Sequence, residues 1–390
     1  MKTTVYKIND PIEDIDKLKK AADCLNAGGL VVFPTETVYG IACKADEKSL
    51  ARLDKVKQRD SDKRYSLHLG EADKISRYVP HLWPTAKKLI QKALPGPITI
   101  VFELNKTDIA KVEKKLGAET VNLLYKDNTI GIRCPDRPAA QALLNLCDFP
   151  IVAPSANLSG HKPATDAAQA AKQLDGLVDI ILDAGRCKLK KHSTVVKISA
   201  QPPLLLSSER RKGTQESAGI VILRAGAISE EKIRRFSTVN ILFVCTGNTC
   251  RSPMAEGLAK KAIAEKLKCD IDRLADMGYK IASAGVAALN DFAVSPESVR
   301  FCASRGVDIA SNRSRRLTSG MLVDADYIFA MSPGHLDGII RTVPAAAGKC
   351  QLLEADRDID DPIGGGLEIY TAVGSTIERA VNKRIDELFE

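Results

Sequence analysis

One stretch near the middle of the chain, NILFVCTGNTCRSPMAE (Asn240–Glu256), constrains the fold more than any other. It begins with a run of β-forming residues, passes through a short loop and continues in a pattern typical of a helix. A loop between a strand and a helix directs backbone N–H groups and the positive end of the helix at the same point, which suits an anion. The stretch therefore predicts a phosphate-binding loop at a strand end.

Side chains of this loop point to chemistry on a bound phosphate. Cys245 ends the strand, and the field of the loop amides and the helix is expected to lower its pKa and make it a thiolate nucleophile. Arg251 has a planar guanidinium that can bind two phosphate oxygens. Ser252 is placed to donate a hydrogen bond to the sulfur, and Asn248 to hold the conformation of the loop.

The leaving group of such a reaction needs a proton, and a late acidic loop offers a donor. The sequence DIDDPIGGG (Asp358–Gly366) places Asp361 directly before a proline on a glycine-rich turn. A carboxyl group in that position can reach over a neighbouring site and act as a general acid.

These motifs together resemble the low-molecular-weight protein tyrosine phosphatase family. Its members carry CxGNxCRSPMAE after the first strand, SAG after the second and DP in a late acidic loop. The chain matches them with Cys245–Glu256, Ser283–Gly285 and Asp361-Pro362, over about 150 residues.

The resemblance implies a role for each residue of the loop. Cys245 is the nucleophile that forms a cysteinyl-phosphate, Arg251 binds the phosphate, and Asp361 acts as the acid and then as the base for hydrolysis. Cys250 is expected to form a reversible disulfide with Cys245 that shields the nucleophile from over-oxidation. The resemblance implies phosphorylated proteins as substrates and no cofactor.

Position 249 bears on the substrate. Tyrosine phosphatases usually have isoleucine or leucine there, whereas CTGNTCRS, with Thr249, resembles the bacterial protein arginine phosphatase branch of the family. The aromatic pair that often follows DP is replaced by Ile363-Gly364-Gly365, so the pocket lacks an aromatic wall for a phosphotyrosine ring. These two features favour phosphoarginine, and a phosphotyrosine phosphatase with a neutral variant at Thr249 is the alternative.

The order of strands and helices predicts two α/β domains, as expected for 390 residues. After residue 238, strand-like and helical runs alternate, which predicts a doubly wound parallel sheet. Before residue 230, strand-like runs from GGLVVFP to GIVILRAG with a few helical patterns predict a large mixed sheet. The charged stretch between them is the best linker candidate. The expected domains are residues 1–229 and 239–390, with a linker at 230–238.

The first domain carries short motifs where its apolar runs end. PTETVYG, KxR, PGPxT, RxP, PSAN, STVV and LRxGAI occur in this order through almost all of residues 20–229. Each turn carries a hydroxyl, an arginine or glycines, as expected of a cleft lined from strand ends. In this order the motifs resemble the family of threonylcarbamoyl-AMP synthases, which make the precursor of threonylcarbamoyladenosine in tRNA.

The resemblance implies a nucleotidyltransferase reaction in which L-threonine, bicarbonate and ATP, with Mg²⁺, give threonylcarbamoyl-AMP and pyrophosphate. Positive charge stabilises the leaving pyrophosphate. The expected ATP-binding residues are Lys57, Arg59, Lys63, Ser155, Asn157 and Arg224. The expected threonine-binding residues are Thr35, His68, Arg133 and Ser193. The acceptor step implies tRNA and further tRNA-modification proteins as partners.

Three positions depart from the family pattern. Asp60 and Arg64 stand where the family usually has prolines, and Lys197 stands where an acidic residue commonly follows STVV. Aspartate beside the phosphate-binding cations weakens their field, and the missing prolines loosen the loop. We expect these changes to affect catalytic efficiency rather than the fold.

Charge is unevenly distributed along the chain. Residues 236–390 carry 18 Lys and Arg against 21 Asp and Glu, and residues 1–235 carry 39 against 28. A basic domain is typical of proteins that bind nucleotides or RNA, and a solvated basic surface gives the same composition. A non-catalytic RNA- or nucleotide-binding domain fused to a phosphotyrosine phosphatase is therefore the alternative for the whole chain.

The remaining features indicate a cytoplasmic protein without a membrane partner. No apolar run approaches the roughly 20 residues that cross a bilayer, and the start, MKTTVYKINDPIEDIDKLKK, is unlike a signal peptide. Ten cysteines lie at irregular intervals, as in proteins with reduced thiols. No CxxC pair or clustered His/Cys set indicates a metal site.

Overall fold

The computed structural model describes residues 2–58, 65–199, 219–355 and 357–390. The chain divides into two compact units, the first formed mainly by residues 1–236 and the second mainly by residues 237–390. The expected linker at 230–238 contains a helix, Glu230–Ser237, with glutamates in its first turn and arginines in its last, as the helix dipole favours. Its Ile233 is buried in the core of the first unit, so this segment packs as part of that unit.

The described strands of the first unit form one ten-stranded sheet. They are β1 (Thr4–Lys7), β2 (Val31–Phe33), β3 (Gly40–Lys44), β4 (Leu67–His68), β5 (Ile98–Glu103), β6 (Thr129–Arg133), β7 (Ile151–Val152), β8 (Ile180–Asp183), β9 (Thr194–Ile198) and β10 (Ile220–Arg224). Their order is β1-β8-β2-β3-β7-β4-β6-β5-β9-β10. Parallel pairs such as β5 with β9 and antiparallel pairs such as β5 with β6 both occur, which confirms the predicted mixed sheet.

Helices cover both faces of this sheet. They are α1 (Ile15–Asn26), α2 (Glu47–Lys57), α3 (Pro84–Ala93), α4 (Lys106–Leu116), α5 (Ala118–Leu124), α6 (Pro138–Asn145), α7 (Ala167–Leu174) and α8 (Glu230–Ser237), with a 3₁₀ helix at Asp73–Arg77. The strand β2 is a continuous apolar run because both faces are buried: Val31 and Phe33 pack in one core with α1 and α6, and Val32 packs in the other with α2 and α7.

The second unit is built on a four-stranded parallel sheet in the order β12-β11-β13-β14. Its strands are β11 (Val239–Cys245), β12 (Tyr279–Gly285), β13 (Tyr327–Ala330) and β14 (Cys350–Leu352). Its helices are α9 (Arg251–Leu267), α10 (Pro296–Ser304), α11 (Ser319–Asp324), α12 (Pro333–Thr342) and α13 (Leu367–Phe389), with 3₁₀ helices at Ile271–Arg273 and Pro344–Lys349.

Alternate residues of β11 pack into two separate cores. Ile241 and Phe243 pack with residues of α9, α10 and α13, whereas Leu242 and Val244 pack with residues of α11 and α12. Helices on both faces of a parallel sheet confirm the predicted doubly wound fold. In such sheets the carboxyl ends of the strands share one edge, and ligands bind there.

No helix among the described residues combines the length and the apolar character that crossing a bilayer requires.

Two candidate active sites

The expected phosphate-binding loop joins the end of β11 to the start of α9. Cys245 is the last residue of β11 and is 2% exposed, and Arg251 is the first residue of α9. Between them, Asn248 has φ of 56°, a left-handed conformation that asparagine adopts more readily than most residues. This turn places the backbone nitrogen of Asn248 3.2 Å from the sulfur of Cys245, to which it donates.

Opposing effects act on the thiol of Cys245. Burial raises the pKa of Cys245, whereas hydrogen bonds with Ser252 and Asn248 and the charge of Arg251 lower it. The Ser252 hydroxyl oxygen lies 2.9 Å from the sulfur. Burial prevails, so the net shift is upward and the expected lowering of the pKa is wrong. The hydrogen bonds and the guanidinium remain the interactions that favour the thiolate.

Asn248 holds the loop through its side-chain amide, as the sequence suggested. Its Nδ2 donates to Ser252 Oγ at 2.9 Å and to Ser283 Oγ at 2.8 Å. Its Oδ1 accepts from the backbone nitrogen of Arg315 at 2.9 Å. Ser283 in turn donates to Glu256 Oε2 at 2.7 Å. Because Asn248 is 1% exposed, these bonds satisfy polar atoms that water does not reach, and they fix the loop in one conformation.

The SAG motif supports the loop from the neighbouring strand. A Cβ at Gly285 would lie 2.5 Å from the backbone oxygen of Thr246 and 2.9 Å from the backbone nitrogen of Asn248, so the close packing requires glycine. Ser283 supplies the hydroxyl to Asn248. The sequence reasoning used SAG only as a family marker and missed these contacts, although the motif was a sufficient signal. The contact of the Arg315 backbone nitrogen with Asn248 has no comparable signal in the sequence.

Arg251 is 6% exposed and has three partners. Its Nη1 donates to the backbone oxygen of Ile359 at 3.0 Å, and its Nη2 donates to Thr246 Oγ1 at 3.4 Å. Nη2 also forms an ion pair with Asp361, whose side chain is 42% exposed. The fold thus brings Asp361 to the phosphate loop across 110 positions of sequence.

A histidine that the sequence reasoning did not select lies beside this arginine. His335 is in the first turn of α12, and its Nε2 lies 2.8 Å from Thr246 Oγ1. Its Nδ1 lies 2.7 Å from Ser332 Oγ, the N-cap of α12. Burial and the charge of Arg251 lower the pKa of His335, against the carboxylates of Asp361 and Asp358, which raise it. A histidine in the first turn of the helix that follows a parallel strand was the available signal.

Thr249 and Cys250 complete the loop. Thr249 is half-buried, and its Oγ1 lies 3.6 Å from the sulfur of Cys250. The Cys250 sulfur lies 3.3 Å from the hydroxyl of Tyr370 on α13. Cys245 and Cys250 are both free thiols, so the expected reversible disulfide stays a prediction.

The first unit contains a cavity of about 280 Å³ at the ends of several strands. Six of the residues predicted for ATP or threonine lie in its wall: Thr35, His68, Arg133, Ser155, Ser193 and Arg224. The wall also contains His192 and Thr99, which the sequence reasoning did not select. The motifs at the strand ends therefore converge on one space.

Arg133, in the cavity wall, belongs to a buried ion pair whose carboxylate lies outside the wall. Arg133 Nη2 donates to Glu36 Oε1 at 2.7 Å and to Thr37 Oγ1 at 2.6 Å, and more weakly to Thr35 Oγ1 at 3.2 Å. Arg133 Nε is buried and has no partner among the described residues. Glu36 thus neutralises one edge of the guanidinium. The sequence reasoning missed Glu36.

Lys57, expected to bind ATP, contacts the loop that carries Ser155, and its role in ATP binding stays a prediction. It is not in the cavity wall, and its Nζ donates to the backbone oxygens of Ser155 at 2.8 Å and Asn157 at 2.6 Å. Asn157 also holds its own loop, donating through Nδ2 to the backbone oxygens of Leu158 and His161 at 2.7 Å and 2.9 Å. Lys57 and Asn157 therefore fix the loop that presents Ser155 to the cavity.

Arg224, at the end of β10, and Ser193, just before β9, also line the cavity. Arg224 Nη2 donates to the backbone oxygen of Ser193 at 2.9 Å and to its hydroxyl at 3.1 Å, and that hydroxyl lies 3.1 Å from Thr99 Oγ1. Lys197, one of the departures from the family pattern, lies outside the wall and pairs with Glu103 on β5 at 3.1 Å. The lysine that stands in place of the family's acidic residue therefore lies on the surface of a strand and not in the cavity wall.

The pKa values of both histidines of the cavity are lowered. Burial, followed by the charge of Arg133, lowers the pKa of His68 to about 3. Burial and the charges of Arg224 and Arg133 also lower the pKa of His192. The positive charge of the cavity therefore comes from its two arginines. Arg59 and Lys63, expected to bind ATP, and the departures Asp60 and Arg64 lie outside the described residues.

Comparison with known proteins divides the chain in the same way. Residues 23–208 match the family described as "Telomere recombination" (Sua5_yciO_yrdC), and residues 240–390 match the family described as "Low molecular weight phosphotyrosine protein phosphatase". The Pyrococcus abyssi protein named "Threonylcarbamoyl-AMP synthase" is 32% identical over 205 residues, which cover 52% of this chain and 57% of that protein. The chain thus spans little more than half of that relative.

Two further relatives are covered almost completely. The "Putative threonylcarbamoyl-AMP synthase" of Methanocaldococcus jannaschii is 31% identical over 234 residues, 59% of this chain and 95% of that protein. The "Protein-arginine-phosphatase" of Geobacillus stearothermophilus is 34% identical over 153 residues, 38% of this chain and 95% of that protein. With the motifs and both folds in agreement, the chain belongs to two families at once, as a fusion of a threonylcarbamoyl-AMP synthase-type domain with a low-molecular-weight phosphatase domain.

Proposed function

We propose that the chain is a bifunctional enzyme, with a threonylcarbamoyl-AMP synthase in the first unit and a protein phosphatase in the second. The observation that carries the synthase half is the cavity where Arg133 and Arg224 meet the hydroxyls of Thr35 and Ser193. Arginines around a small cavity suit anionic groups, and both the carboxylate of threonine and the phosphates of ATP are anions. The printed names of the relatives support this choice of substrates.

In the proposed reaction the amino group of L-threonine bonds to the carbon of bicarbonate and water leaves, giving a carbamate. A carbamate oxygen then attacks the α-phosphorus of ATP, and pyrophosphate departs with the electrons of the broken P–O bond. The guanidinium of Arg133 in the cavity wall is suited to the threonine carboxylate or the carbamate. Ser155, on the loop that Lys57 fixes, and Arg224 are assigned to the nucleotide.

Magnesium is expected to accompany ATP. Among the described residues no group of three metal-binding side chains occurs, and none of the side chains in the cavity wall is a carboxylate. These residues therefore do not form a magnesium site of their own, and no step above passes through the metal.

The synthase proposal is tested by pyrophosphate release from the full chain supplied with ATP, bicarbonate and L-threonine. Release is expected to depend on threonine and to be lost in Lys57→Ala, because the loop of Ser155 loses its buried anchor. Lys55→Ala is the matched control, since Lys55 lies on the exposed face of the same helix. Release that does not depend on threonine contradicts the proposal.

A basic loop at the cavity mouth supports tRNA as a partner of this unit. Lys188, Lys190 and Lys191 are exposed between β8 and β9, just before His192 in the cavity wall. The backbone nitrogens of Cys187 and Leu189 donate to Thr165 and Glu36, which fixes the loop with its lysines outward. Lysines in a fixed row suit a phosphate backbone.

Binding of tRNA to the full chain is expected to weaken as salt is added. Replacing Lys188, Lys190 and Lys191 together by glutamine should lower the affinity and the salt dependence. Replacing Lys111, Lys114 and Lys115 on the exposed face of α4 controls for net charge alone. Binding of tRNA without any synthase activity favours the alternative, a non-catalytic RNA-binding domain, and equal binding by both triple variants refutes the role of the loop.

The observation that carries the phosphatase half is the loop in which Cys245, Arg251 and the paired Asp361 meet. The proton of the Cys245 thiol passes to the carboxylate of Asp361, the resulting thiolate attacks phosphorus, and the bond to the leaving group breaks as Asp361 gives that proton to the leaving group. Asp361 then takes a proton from water, which attacks the cysteinyl-phosphate and releases inorganic phosphate. Phosphate oxygens replace Asp361 at the guanidinium of Arg251, which frees the carboxyl group for this role.

The favoured substrate class is phosphoarginine in proteins. Thr249 is half-buried in the loop, and Ile363 after the DP motif is 70% exposed without an aromatic neighbour in sequence. A threonine hydroxyl can orient water or contact a guanidinium, and an absent aromatic wall weakens the binding of a phosphotyrosine ring. The printed name of the Geobacillus relative supports the same class.

Rates on phosphoarginine and phosphotyrosine peptides separate the two candidates. The wild type should hydrolyse phosphoarginine faster, and Thr249→Ile should reverse the order. Thr249→Ser keeps the hydroxyl and should keep the preference, whereas Thr249→Val keeps the shape and should lose part of it. Equal rates on both peptides in the wild type contradict the phosphoarginine assignment and leave a phosphotyrosine phosphatase.

We place both activities in the cytoplasm. All ten cysteines are free thiols, as a reducing compartment requires.

A further inference from the structure

The hydrogen bonds around His335 form a chain that ends at the phosphate-binding arginine. His335 is the single histidine of residues 237–390 and is 7% exposed. Its Nε2 lies 2.8 Å from Thr246 Oγ1, and Thr246 Oγ1 accepts from Arg251 Nη2 at 3.4 Å. On the other side, Nδ1 lies 2.7 Å from Ser332 Oγ. Every polar atom of the imidazole therefore has a partner, and one partner contacts Arg251.

The donors and acceptors of this chain fit an arrangement in which the Thr246 hydroxyl donates to His335. A guanidinium only donates, so the Thr246 oxygen accepts from Arg251 and its hydroxyl hydrogen is available to His335 Nε2. Nε2 is then the unprotonated nitrogen, and the hydrogen on Nδ1 is donated to Ser332. The neutral imidazole that this requires is consistent with burial and the charge of Arg251, which lower the pKa of His335 more than Asp361 and Asp358 raise it.

Arg251 needs such a support during the proposed reaction. Its contacts within the described residues are the backbone oxygen of Ile359, the hydroxyl of Thr246 and the carboxylate of Asp361. If Asp361 turns to the leaving group, the guanidinium keeps only Ile359 and Thr246. A threonine hydroxyl on an exposed residue rotates freely unless a second partner fixes it, and His335 is that partner.

We propose that His335 is a positioning residue for Arg251, acting through the hydroxyl of Thr246, and that the pair sets the affinity of the loop for phosphate. The inference rests on the proposed phosphatase function and concerns a histidine on α12, outside the loop motif. Loss of this support should lower the affinity for phosphate more than kcat. Arg251 binds the phosphate oxygens, whereas Cys245 and Asp361 act on the bond to the leaving group.

The first test measures the dissociation constant of inorganic phosphate for the full chain, together with kcat and KM for a small aryl phosphate ester. Thr246→Val and His335→Asn should each weaken phosphate binding and raise KM by about 3- to 10-fold, the size of one hydrogen bond, with a smaller change in kcat. The double variant should bind phosphate as tightly as whichever single variant binds it less tightly, because both changes remove the same support. Thr246→Ser should restore wild-type binding.

The matched control is Thr342→Val at the end of α12, which makes the same hydroxyl-to-methyl change away from the loop. It should leave all constants unchanged. A double variant whose loss is the product of the two single losses, or a Thr246→Ser protein that resembles Thr246→Val, overturns the inference. Unchanged phosphate affinity in both single variants does so as well.

The second test needs no turnover. Nitrogen-15 chemical shifts of the His335 ring, assigned by comparison with His335→Asn, should report hydrogen on Nδ1 and none on Nε2 at neutral pH, and Thr246→Val should shift Nε2. A cationic ring, or hydrogen on Nε2, overturns the inference. If the protein binds phosphate but hydrolyses no ester, the phosphatase function fails while the positioning role is still decided by the variants. A protein that binds no phosphate overturns both.

Discussion

The two candidate sites of this chain are assembled in opposite ways. The phosphate site has its nucleophile, its arginine and the nearest supporting residues within one loop, between Cys245 and Ser252, and Asp361 and His335 reach that loop from distant positions of the sequence. The cavity of the first unit draws its wall from residues between Thr35 and Arg224, on strands that only the fold brings together. A contiguous site is encoded by local turn chemistry, whereas a dispersed site depends on the packing of a whole sheet.

The two sites also balance charge differently. At the phosphate loop the buried thiol of Cys245 contacts a backbone N–H and a hydroxyl, and the nearby charge of Arg251 is paired with Asp361, whose side chain is 42% exposed. In the cavity the buried guanidinium of Arg133 is neutralised by the carboxylate of Glu36, a second buried ion. Substitutions in the loop should therefore affect chemistry more than stability, and substitutions of the buried pair should affect both.

The largest effect is expected from Cys245→Ser. Hydrolysis of a small aryl phosphate ester should fall by roughly 10⁴-fold or more, because the nucleophile is removed. Pyrophosphate release by the first unit should not change. Cys269→Ser, at a half-buried position outside the loop, is the control. A Cys245→Ser protein that still releases phosphate refutes the assignment, and one that also loses pyrophosphate release would show that the sites are coupled.

The buried ion pair gives the largest expected effect on stability. Arg133→Gln leaves the carboxylate of Glu36, which is 3% exposed, without its partner, and this should destabilise the first unit by about 3 to 5 kcal/mol. Denaturant unfolding of the full chain measures the change. The double variant Glu36→Gln/Arg133→Gln should recover part of the loss. Arg77→Gln, at an exposed arginine, should stay within about 0.5 kcal/mol. Equal losses in the single and double variants would contradict the pairing argument.

The same contrast explains how much of the fold was predictable. Apolar runs located β2 and β5 to β10, and the alternation after residue 238 located β11 to β13 with their helices. The edge strand β1 (Thr4–Lys7) was missed because it is short and largely exposed, and β3 (Gly40–Lys44) because its start, Gly40, belongs to a motif interpreted as a loop. Both strands are set by pairing with distant strands, which no local pattern reports.

The sites were predictable to a similar degree. Residue types at strand ends identified six residues of the cavity wall, because motif positions carry that information. The partner of each residue was not predictable: Lys57 bonds to backbone oxygens, and Glu36 neutralises Arg133. In the loop, the burial that raises the pKa of Cys245 follows from helices on both faces of the sheet. Such contacts depend on tertiary packing.

Protonation of His68 gives a pH-dependent test of the cavity. Burial lowers its pKa from the ordinary 6.5 to about 3, so the unfolded chain binds the proton more strongly than the folded one. The stability contributed by the neutral ring is complete above pH 6.5 and decreases as the pH falls towards 3. Between pH 7 and pH 5 the first unit should lose about 2 kcal/mol from this residue.

The comparison is between wild type and His68→Asn, with unfolding followed at several pH values. The variant should lack this part of the pH dependence, whatever its absolute stability. His161→Asn, at an exposed histidine, should keep the wild-type slope. The same slope in wild type and His68→Asn would mean that His68 is not held neutral, and the cavity would then carry more positive charge than its two arginines.

The smallest effect is expected at Lys197, the departure from the family pattern that the structure locates. Lys197 pairs with Glu103 on the neighbouring strand, and both side chains are about one-third exposed, at 31% and 37%. Exposed pairs of this kind contribute about 0.2 to 1 kcal/mol. Lys197→Ala should therefore change stability by no more than this, and a double-mutant cycle with Glu103→Ala should give a coupling energy in the same range.

Threonine-dependent pyrophosphate release should not change in Lys197→Ala, since Lys197 is outside the cavity wall. A clear loss of release would show that the charge acts on the cavity through the strand, and the dispersed site would then extend beyond the residues that line it.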